Sequence, residues 1–193
     1  MMGKIVVSSN VSLDGVVQDP DGEEGYSFGG WFGRSGGKDL VEWQKVQLAE
    51  ALAAQALLLG RRSDTWFATR WSERTGAWAD RLSALPKYVV SATVEKPAWG
   101  NGVVLSGDPV QEVAKLAKAV DGDIVVYGSI QLVHALFEHD LVDELRLYVF
   151  PVVVGAGERL FPESWSSKPM RLAASQTVGD SLTSLTYRPV REN

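Results

Sequence analysis

The fold is decided by the stretch Ala56-Leu57-Leu58-Leu59-Gly60-Arg61-Arg62-Ser63, in which an apolar run ends at a glycine and two arginines. A short apolar run bounded by glycine is typical of a strand that is buried on both faces. We expect a helix to begin directly after Gly60. The stretch therefore predicts a strand, a tight turn and a helix, which is the repeating unit of an α/β sheet.

Two other stretches also join an apolar strand to a polar or glycine turn. They are Lys87-Tyr88-Val89-Val90-Ser91, followed by Ala92-Thr93, and Asp123-Ile124-Val125-Val126-Tyr127, followed by Gly128-Ser129. In open α/β sheets the carboxyl ends of the strands form the ligand crevice. Helix N–H groups and a glycine that lacks a Cβ then favour phosphate, and a guanidinium adds a matching charge. Together the three turns predict a cradle for a diphosphate and a ribose phosphate.

The remaining patterns complete a single domain over residues 1–193. Asp108, Pro109 and Gln111 predict the start of a helix that ends near Gly122. Further helices are expected over 38–54 and 132–137, and further strands over 5–7, 103–105, 145–150, 171–178 and 182–189. This order predicts an α/β fold whose central sheet is mostly parallel, with an antiparallel C-terminal edge.

Composition excludes several classes of function. The chain has 193 residues, no cysteine and a net charge of −5. Thiolate metal sites and cysteine nucleophiles are therefore excluded, the two histidines lack a metal-binding spacing, and no metal site is expected. Nucleic acid is not expected as a partner because no basic tract is present. The absence of a long apolar run predicts no contact with a membrane, and we expect the protein in the cytoplasm.

The chain resembles the dihydrofolate-reductase-like family, and more closely the branch of the C-terminal reductase domain of the riboflavin-pathway deaminase-reductase. The resemblance rests on motifs in the same order along nearly the whole chain: Ser12-Leu13-Asp14-Gly15, Gly60-Arg61-Arg62-Ser63-Asp64-Thr65-Trp66, Lys87-Tyr88-Val89-Val90-Ser91, Tyr127-Gly128-Ser129-Ile130-Gln131-Leu132, Leu141-Val142-Asp143-Glu144-Leu145 and Pro151-Val152-Val153-Val154-Gly155-Ala156-Gly157. It implies a three-layer fold with helices on both faces of the sheet.

The resemblance implies NADPH as cofactor and assigns residues to it. Gly60, Arg61, Arg62 and Ser63 are expected at the adenosine 2′-phosphate and the diphosphate, with Arg61 selecting NADP over NAD. The adenosine end is assigned to Ser91, Ala92 and Thr93, and the diphosphate and nicotinamide ribose to Gly128, Ser129, Ile130 and Gln131. The family commonly has two glycines where this chain has Tyr127-Gly128, so the backbone approach to the diphosphate is expected to be tighter or shifted here.

The substrate end of the site is less well defined by the sequence. The resemblance places Ser12, Asp14 and Gly15 on a loop beside the nicotinamide, where Asp14 is a candidate for proton transfer and, with more weight, for a positional role. Trp31 and Trp66 are candidates for a flat wall against a heterocycle, although most tryptophans in a chain of this kind belong to the core. Asp39 and Glu42 are the acids nearest to the family's pterin-binding carboxylate, and acids at a helix start are the simpler explanation.

These expectations define one function and one alternative. The first is an NADPH-dependent oxidoreductase that passes hydride to a small pteridine-like or pyrimidine-like substrate, with the Gly-rich segment 18–37 as a lid. On composition alone, a surface loop explains this segment equally well. The alternative function is a nucleotide-binding module with little or no turnover. The resemblance further implies a homodimer.

Overall fold

The computed structural model describes residues 2–163 and 165–191, which divide into two compact units. The first unit comprises 2–7 and 47–143, and the second comprises 8–46 and the described part of 144–191. The strands are β1 (Lys4–Ser12), β2 (Ala54–Gly60), β3 (Lys87–Val90), β4 (Gly102–Leu105), β5 (Asp123–Tyr127), β6 (Glu144–Phe150), β7 (Met170–Val178) and β8 (Leu182–Pro189). The helices are α1 (Trp31–Gly36), α2 (Leu40–Ala53), α3 (Arg61–Trp71), α4 (Ala77–Ala84), α5 (Pro109–Ala119) and α6 (Ile130–Glu138). The single-domain assignment stays a prediction.

In the first unit the strand order is β4-β3-β2-β5-β1. β2 pairs in parallel with both β3 and β5, and β3 pairs in parallel with β4. β5 is buried from Ile124 to Tyr127 and β2 from Ala56 to Leu59, as expected for strands with both faces covered. The core of this unit adds aromatic rings from α3 and from the chain before β4, namely Phe67, Trp71 and Trp99.

In the second unit the strand order is β1-β6-β8-β7, in which β8 pairs antiparallel with both β6 and β7. Its core contains a cluster of rings in which Trp31 and Phe32 both contact Phe150, and Phe32 also meets Trp43 edge to face. The α/β class, with parallel strands and an antiparallel edge formed by the last strands, is confirmed. Within the described residues, no helix combines the length and the apolar character that a membrane span needs.

The helix starting at Pro109 is confirmed, because the Asp108 carboxylate accepts the Gln111 N–H at 2.9 Å as an N-cap. Two segments differ from expectation. The single helix expected after Gly60 is two helices, α3 and α4, separated by a turn that ends at Gly76 with φ 107°. The segment 18–37 is not an irregular loop throughout, since it contains α1 and a buried Asp19 whose carboxylate accepts the N–H groups of Glu24 and Tyr26.

Candidate functional site

The three turns singled out in the sequence follow three neighbouring strands of the first unit. β3, β2 and β5 are adjacent and parallel, and Gly60 lies beside Val90 in the β2–β3 register. The turns at Gly60, Ser91 and Gly128 therefore lie side by side at the carboxyl edge of these strands. This placement is the one that open α/β sheets use for ligands.

The chain also changes direction between β2 and β5. After β2, α3 and α4 lead to β3 on one side of that strand. After β5, α6 leads to Asp143, whose N–H donates to the carbonyl of Ile5 in β1, on the other side of β5. Connections that leave in opposite directions open a crevice between two strand ends. The Gly60 and Gly128 turns flank this crevice.

At the first turn, Gly60 is extended and α3 begins at Arg61 without a side-chain cap. The first N–H groups of a helix have no partners within the helix, so they attract an anion. Arg61 and Arg62 are both exposed, and neither guanidinium has a hydrogen bond or an ion pair within the described residues. Two uncompensated cations thus stand at a helix N-terminus in a protein whose net charge is −5.

At the second turn, Gly128 and Ser129 are both left-handed, with φ 56° for each, and α6 begins at Ile130. A Cβ on Gly128 would lie 2.9 Å from the Ser63 hydroxyl oxygen, so a side chain there would force Ser63 to move and would be strained at this φ. No side chain caps α6 either. Two uncapped helix N-termini therefore begin at neighbouring strand ends.

Two serine hydroxyls tie these turns together. The Ser129 N–H donates to Ser63 Oγ at 2.8 Å, and the Gly60 N–H donates to Ser129 Oγ at 2.9 Å. Ser129 Oγ in turn donates to the carbonyl of Tyr127 at 3.0 Å. The N–H groups of Gly60 and Ser129 are therefore used inside the protein. An anion would meet the N–H groups that follow them on α3 and α6.

The third turn is built by Ser91, whose hydroxyl accepts the N–H groups of Thr93 and Val94, both at 3.2 Å. The Ser91 N–H donates to the carbonyl of Leu105, the last residue of β4. Ala92 and Thr93 are exposed on this turn. The turn thus has a fixed backbone and a free outer surface.

Tyr127 replaces the glycine that is common in the family without blocking the crevice. Its side chain is buried in the first unit, where the ring lies 6.2 Å from the Phe67 ring. Its hydroxyl donates to Glu50 Oε1 at 2.9 Å, in a buried pair with α2. The tyrosine therefore anchors the end of β5, and the backbone turn that follows it is still glycine-based.

In the second unit, Asp14 is held by donors on three sides. Its carboxylate accepts the Ser12 hydroxyl at 2.7 Å and the N–H groups of Val154 and Gly155 at 3.0 and 2.8 Å. Partial burial raises the pKa of Asp14, but these hydrogen bonds outweigh it and lower the pKa to about 2. Ser12 also accepts the Val16 N–H, and Gly15 is left-handed with φ 81°. The ionised carboxylate has the geometry of a loop anchor, which favours the positional role over proton transfer.

The two tryptophan candidates differ in exposure. Trp31 is 1% exposed, its ring N–H donates to the carbonyl of Gln18, and its ring packs on Phe150. This placement favours the core alternative for Trp31. Trp66 is half-buried, with the Arg70 guanidinium 4.8 Å from its ring centroid, so part of its surface stays open to solvent.

Among the acids near the start of α2, Asp39 has a structural partner. Its carboxylate accepts the N–H groups of Asp180 and Ser181 and the Ser181 hydroxyl, which fixes the β7–β8 turn. The Ser181 hydroxyl is the largest of the causes that lower the pKa of Asp39. Glu42 is exposed and pairs with Lys45. Neither acid is presented as a free carboxylate for a heterocycle.

One buried acid of the first unit was not found by sequence reasoning. Asp64, in the first turns of α3, accepts the N–H groups of Ala98 and Trp99. In the sequence it cannot be distinguished from an ordinary acid that favours the helix dipole. Within the described residues, no group of three or more histidine, aspartate or glutamate side chains is arranged to hold a metal ion.

Comparison with known proteins identifies the chain's relatives. The model of the RibD C-terminal domain family matches residues 3–184. YyaP of Bacillus subtilis (strain 168), described as an uncharacterized protein, is 30% identical over 101 residues, which make up 52% of this chain and 53% of YyaP. The match thus spans about half the length of that curated relative.

Solved structures give the same result for the fold. A putative riboflavin biosynthesis protein from Shewanella sp. PV-4 has 25% sequence identity and a TM-score of 0.75, over 99% of this chain and all of that one. Dihydrofolate reductase from Enterococcus faecalis, complexed with NADP(H), has 14% identity and a TM-score of 0.57, over 98% of each chain. The deaminase/5-amino-6-(5-phosphoribosylamino)uracil reductase of Thermotoga maritima has 16% identity and a TM-score of 0.61, over 98% of this chain and 57% of that one. The dihydrofolate-reductase-like fold is confirmed.

Proposed function

Because the chain belongs to the RibD C-terminal domain family, we propose that it is an NADPH-dependent reductase that passes hydride to a small heteroaromatic substrate. The observation that carries the proposal is the pair of uncompensated guanidiniums, Arg61 and Arg62, at the uncapped N-terminus of α3 beside the β2–β5 crevice. A phosphorylated dinucleotide needs such local positive charge in an acidic protein.

The residues of the first unit fit this cofactor. Two helix N-termini without side-chain caps begin at neighbouring strand ends, and the glycine at 128 lets the Ser63 hydroxyl pack against the second turn. In the proposal, Arg61 binds the 2′-phosphate, while Arg62 and the first N–H groups of α3 and α6, including those of Ile130 and Gln131, hold the diphosphate. Ser91, Ala92 and Thr93 are assigned to the adenosine end.

NADPH, when bound, would supply the hydride. The chain's own contribution is to bind and orient the rings and to exclude water, since the cofactor carries the difficult chemistry. Ser63 and Ser129 hold the two turns in register, so that the phosphate-binding N–H groups need little rearrangement on binding. The substrate-end roles of Ser12, Asp14, Gly15, Trp31 and Trp66 stay predictions.

Titration with NADPH and with NADH, followed by tryptophan fluorescence, tests the cofactor. We expect Arg61→Ala to weaken NADPH binding by about 10- to 100-fold, because a charge-assisted contact to the 2′-phosphate is lost, and to leave NADH binding nearly unchanged. Arg74→Ala removes the same charge beside Trp71, outside the proposed site, and serves as the control. An equal loss of affinity for NADPH and NADH would show that Arg61 does not bind the 2′-phosphate.

A nucleotide-binding module without turnover is the second candidate, and Asp14 is the observation that favours it. A carboxylate whose pKa lies at about 2 is ionised at neutral pH and cannot donate a proton. Steady oxidation of NADPH with any member of a panel of pteridines and pyrimidines would exclude the module. Tight NADPH binding with no turnover across the panel would favour it.

We also propose a cytoplasmic homodimer, in which β7 and β8 contact a second copy. β7 is an edge strand whose residues 171–177 are all exposed, and Leu172 is 50% exposed. A long exposed edge strand is a pairing surface that proteins normally protect. Leu172→Lys should give a monomer in light scattering where the wild-type chain gives a dimer. A wild-type monomer at high concentration would contradict the proposal.

A further inference from the structure

The connection between β3 and β4, residues 91–101, joins two parallel strands without a helix or strand of its own. Its first residues form the Ser91 turn, which the proposed function assigns to the adenosine end of NADPH. A segment with few internal backbone hydrogen bonds takes its conformation from the groups that hold it. The Ser91 turn is fixed locally by its own hydrogen bonds, so the contacts at the far end matter for where the connection and the outer surface of this turn lie.

The far end is held by the carboxylate of Asp64, which is 1% exposed. Asp64 Oδ2 accepts the Ala98 N–H at 2.6 Å, and Asp64 Oδ1 accepts the Trp99 N–H at 3.1 Å. Hydrogen bonds from backbone N–H groups to a buried carboxylate are among the stronger ones in proteins. One side chain thus fixes two successive backbone groups of the connection.

The Trp99 ring adds a second contact with the same helix. It stacks on Phe67 of α3, with ring centroids 4.8 Å apart and planes 8° from parallel. On the Trp99 ring also lies the buried ammonium group of Lys87, which donates to Asn101 Oδ1 at 3.3 Å. The end of the connection is therefore packed between α3 and the start of β3.

Asp64 directly follows Ser63, the residue whose hydroxyl accepts the Ser129 N–H. Two successive residues of α3 thus hold the Gly128 turn, through Ser129, and the far end of the connection that begins with the Ser91 turn, through Ala98 and Trp99. Because Ser63 and Asp64 are adjacent in α3, the position of this helix sets both contacts at once. A small shift of either contact would move the groups that bind the cofactor away from their positions for binding.

We propose that Asp64 is a positioning residue for cofactor binding: by holding Ala98 and Trp99, it keeps the 91–101 connection and its Ser91 turn ready for the adenosine end of NADPH. The proposal rests on the proposed function. It assigns Asp64 no contact with the cofactor. An acid that only favours the helix dipole would affect stability without favouring one end of the cofactor over the other.

The test compares Asp64→Asn with Asp80→Asn, which removes the same charge from an exposed position in the first turn of α4. An asparagine keeps the size of the side chain but replaces one acceptor oxygen by an NH2 group, so it can hold only one of the two N–H groups. The probes are NADPH, adenosine 2′,5′-bisphosphate and reduced nicotinamide mononucleotide, titrated against each folded protein. Amide hydrogen exchange is measured on the same samples.

We expect Asp64→Asn to lower the affinity for NADPH and for adenosine 2′,5′-bisphosphate by about tenfold. The affinity for reduced nicotinamide mononucleotide should stay within about twofold of the wild-type value. Asp80→Asn should behave as the wild-type protein. Equal weakening of both fragments, or no weakening of the bisphosphate, overturns the proposal. If Asp64→Asn does not fold, Asp64→Ser, which keeps one acceptor oxygen, is read by the same criterion.

If the wild-type protein binds none of the three probes, the proposed function fails, and hydrogen exchange then decides the role of Asp64. Faster exchange confined to residues 92–99 in the variant would support Asp64 as the anchor of the connection. Unchanged exchange there would overturn that role as well.

Discussion

The three turns of the candidate site and the loops of the second unit are held with different chemistry. In the first unit, neutral hydroxyls of Ser63, Ser91 and Ser129 bind backbone N–H groups at the ends of three strands. In the second unit, carboxylates do this work: Asp14 holds the segment around Val154, Asp19 holds the segment at 24–26, and Asp39 holds the β7–β8 turn. Hydroxyls leave a strand edge nearly free of negative charge, which suits an anionic ligand, whereas carboxylates bind loops more strongly and make them sensitive to acid.

The largest effect is expected from Gly128→Val, which breaks the hydroxyl-based arrangement. A β-branched residue is strained at φ 56°, and its Cβ would lie 2.9 Å from Ser63 Oγ. We expect a loss of about 2 kcal/mol or more in the free energy of unfolding, together with loss of NADPH binding. Urea unfolding and cofactor titration measure the two effects.

Gly33→Ala is the matched control for this substitution. Gly33 lies inside α1, where an added Cβ meets nothing within 4 Å. Alanine there should leave stability unchanged or raise it by about 0.5–1 kcal/mol. Wild-type stability and cofactor affinity in Gly128→Val would mean that the turn tolerates a side chain, and that the packing of Ser63 against Gly128 does not matter for binding.

The second largest effect is expected in acid, where the loops of the second unit should lose stability before the turns of the first unit do. The pKa values of Asp14, Asp19 and Asp39 are all lowered in the folded protein, that of Asp14 to about 2. A carboxylate with a lowered pKa contributes stability that is present above its unfolded value of 3.8 and is lost as the pH falls through the folded value. We therefore expect stability to fall from about pH 4.5 towards pH 2, with the loops of the second unit opening first.

Hydrogen exchange between pH 2 and pH 5 can locate this loss. Asp14→Asn removes the titrating group and should therefore make the loss of stability in acid smaller. Glu23→Gln, which changes an exposed side chain, should leave that loss as it is in the wild-type protein. Acid opening that begins in the Gly60 and Gly128 turns would contradict the comparison between the units.

The smallest effect is expected at alkaline pH in the first unit. Lys87 is 1% exposed, and burial lowers its pKa to about 8, although the charge of Asp64 partly opposes the shift. Below pH 8 the buried ammonium is charged at a cost. Above pH 8 the folded protein loses this proton while the unfolded chain, with an unperturbed value of 10.5, keeps it. The contribution of Lys87 to stability should therefore rise between about pH 8 and 10.5.

Thermal unfolding of the wild-type protein and of Lys87→Met from pH 7 to 10.5 measures this contribution as a difference. The stability of the wild-type protein relative to Lys87→Met should increase as the pH rises. Lys118→Met, at an exposed position, should show no such change relative to the wild-type protein. A constant difference over this range would show that the Lys87 ammonium is not destabilised by burial. The carbonyls of Ser83 and Leu85, which accept its N–H groups, lose their donor in the variant at every pH.

The sequence was sufficient for the strands, because buried parallel strands leave continuous apolar runs such as 123–127, and for the α5 cap, because Asp108 and Pro109 are local signals. It was also sufficient for the three turns, since glycine and serine directly follow those runs. It was insufficient for Asp64, Asp39 and Asp19, whose N–H partners lie up to 35, 142 and 7 residues away in the sequence, respectively. A carboxylate that accepts distant N–H groups has the same local pattern as a solvated one. The α4 helix was missed because Gly76 begins it without a capping side chain.

The guanidiniums of Arg61 and Arg62, which have no partner in the part of the chain that the structure describes, have a kinetic consequence. A small positive region on a protein of net charge −5 attracts an anionic ligand only over about a Debye length, roughly 8 Å at physiological salt. Within the same distance the acidic side chains around the site oppose the approach. Raising the ionic strength should thus change the association rate of a cofactor less than it would at a uniformly basic site, because the attraction and the repulsion are screened together.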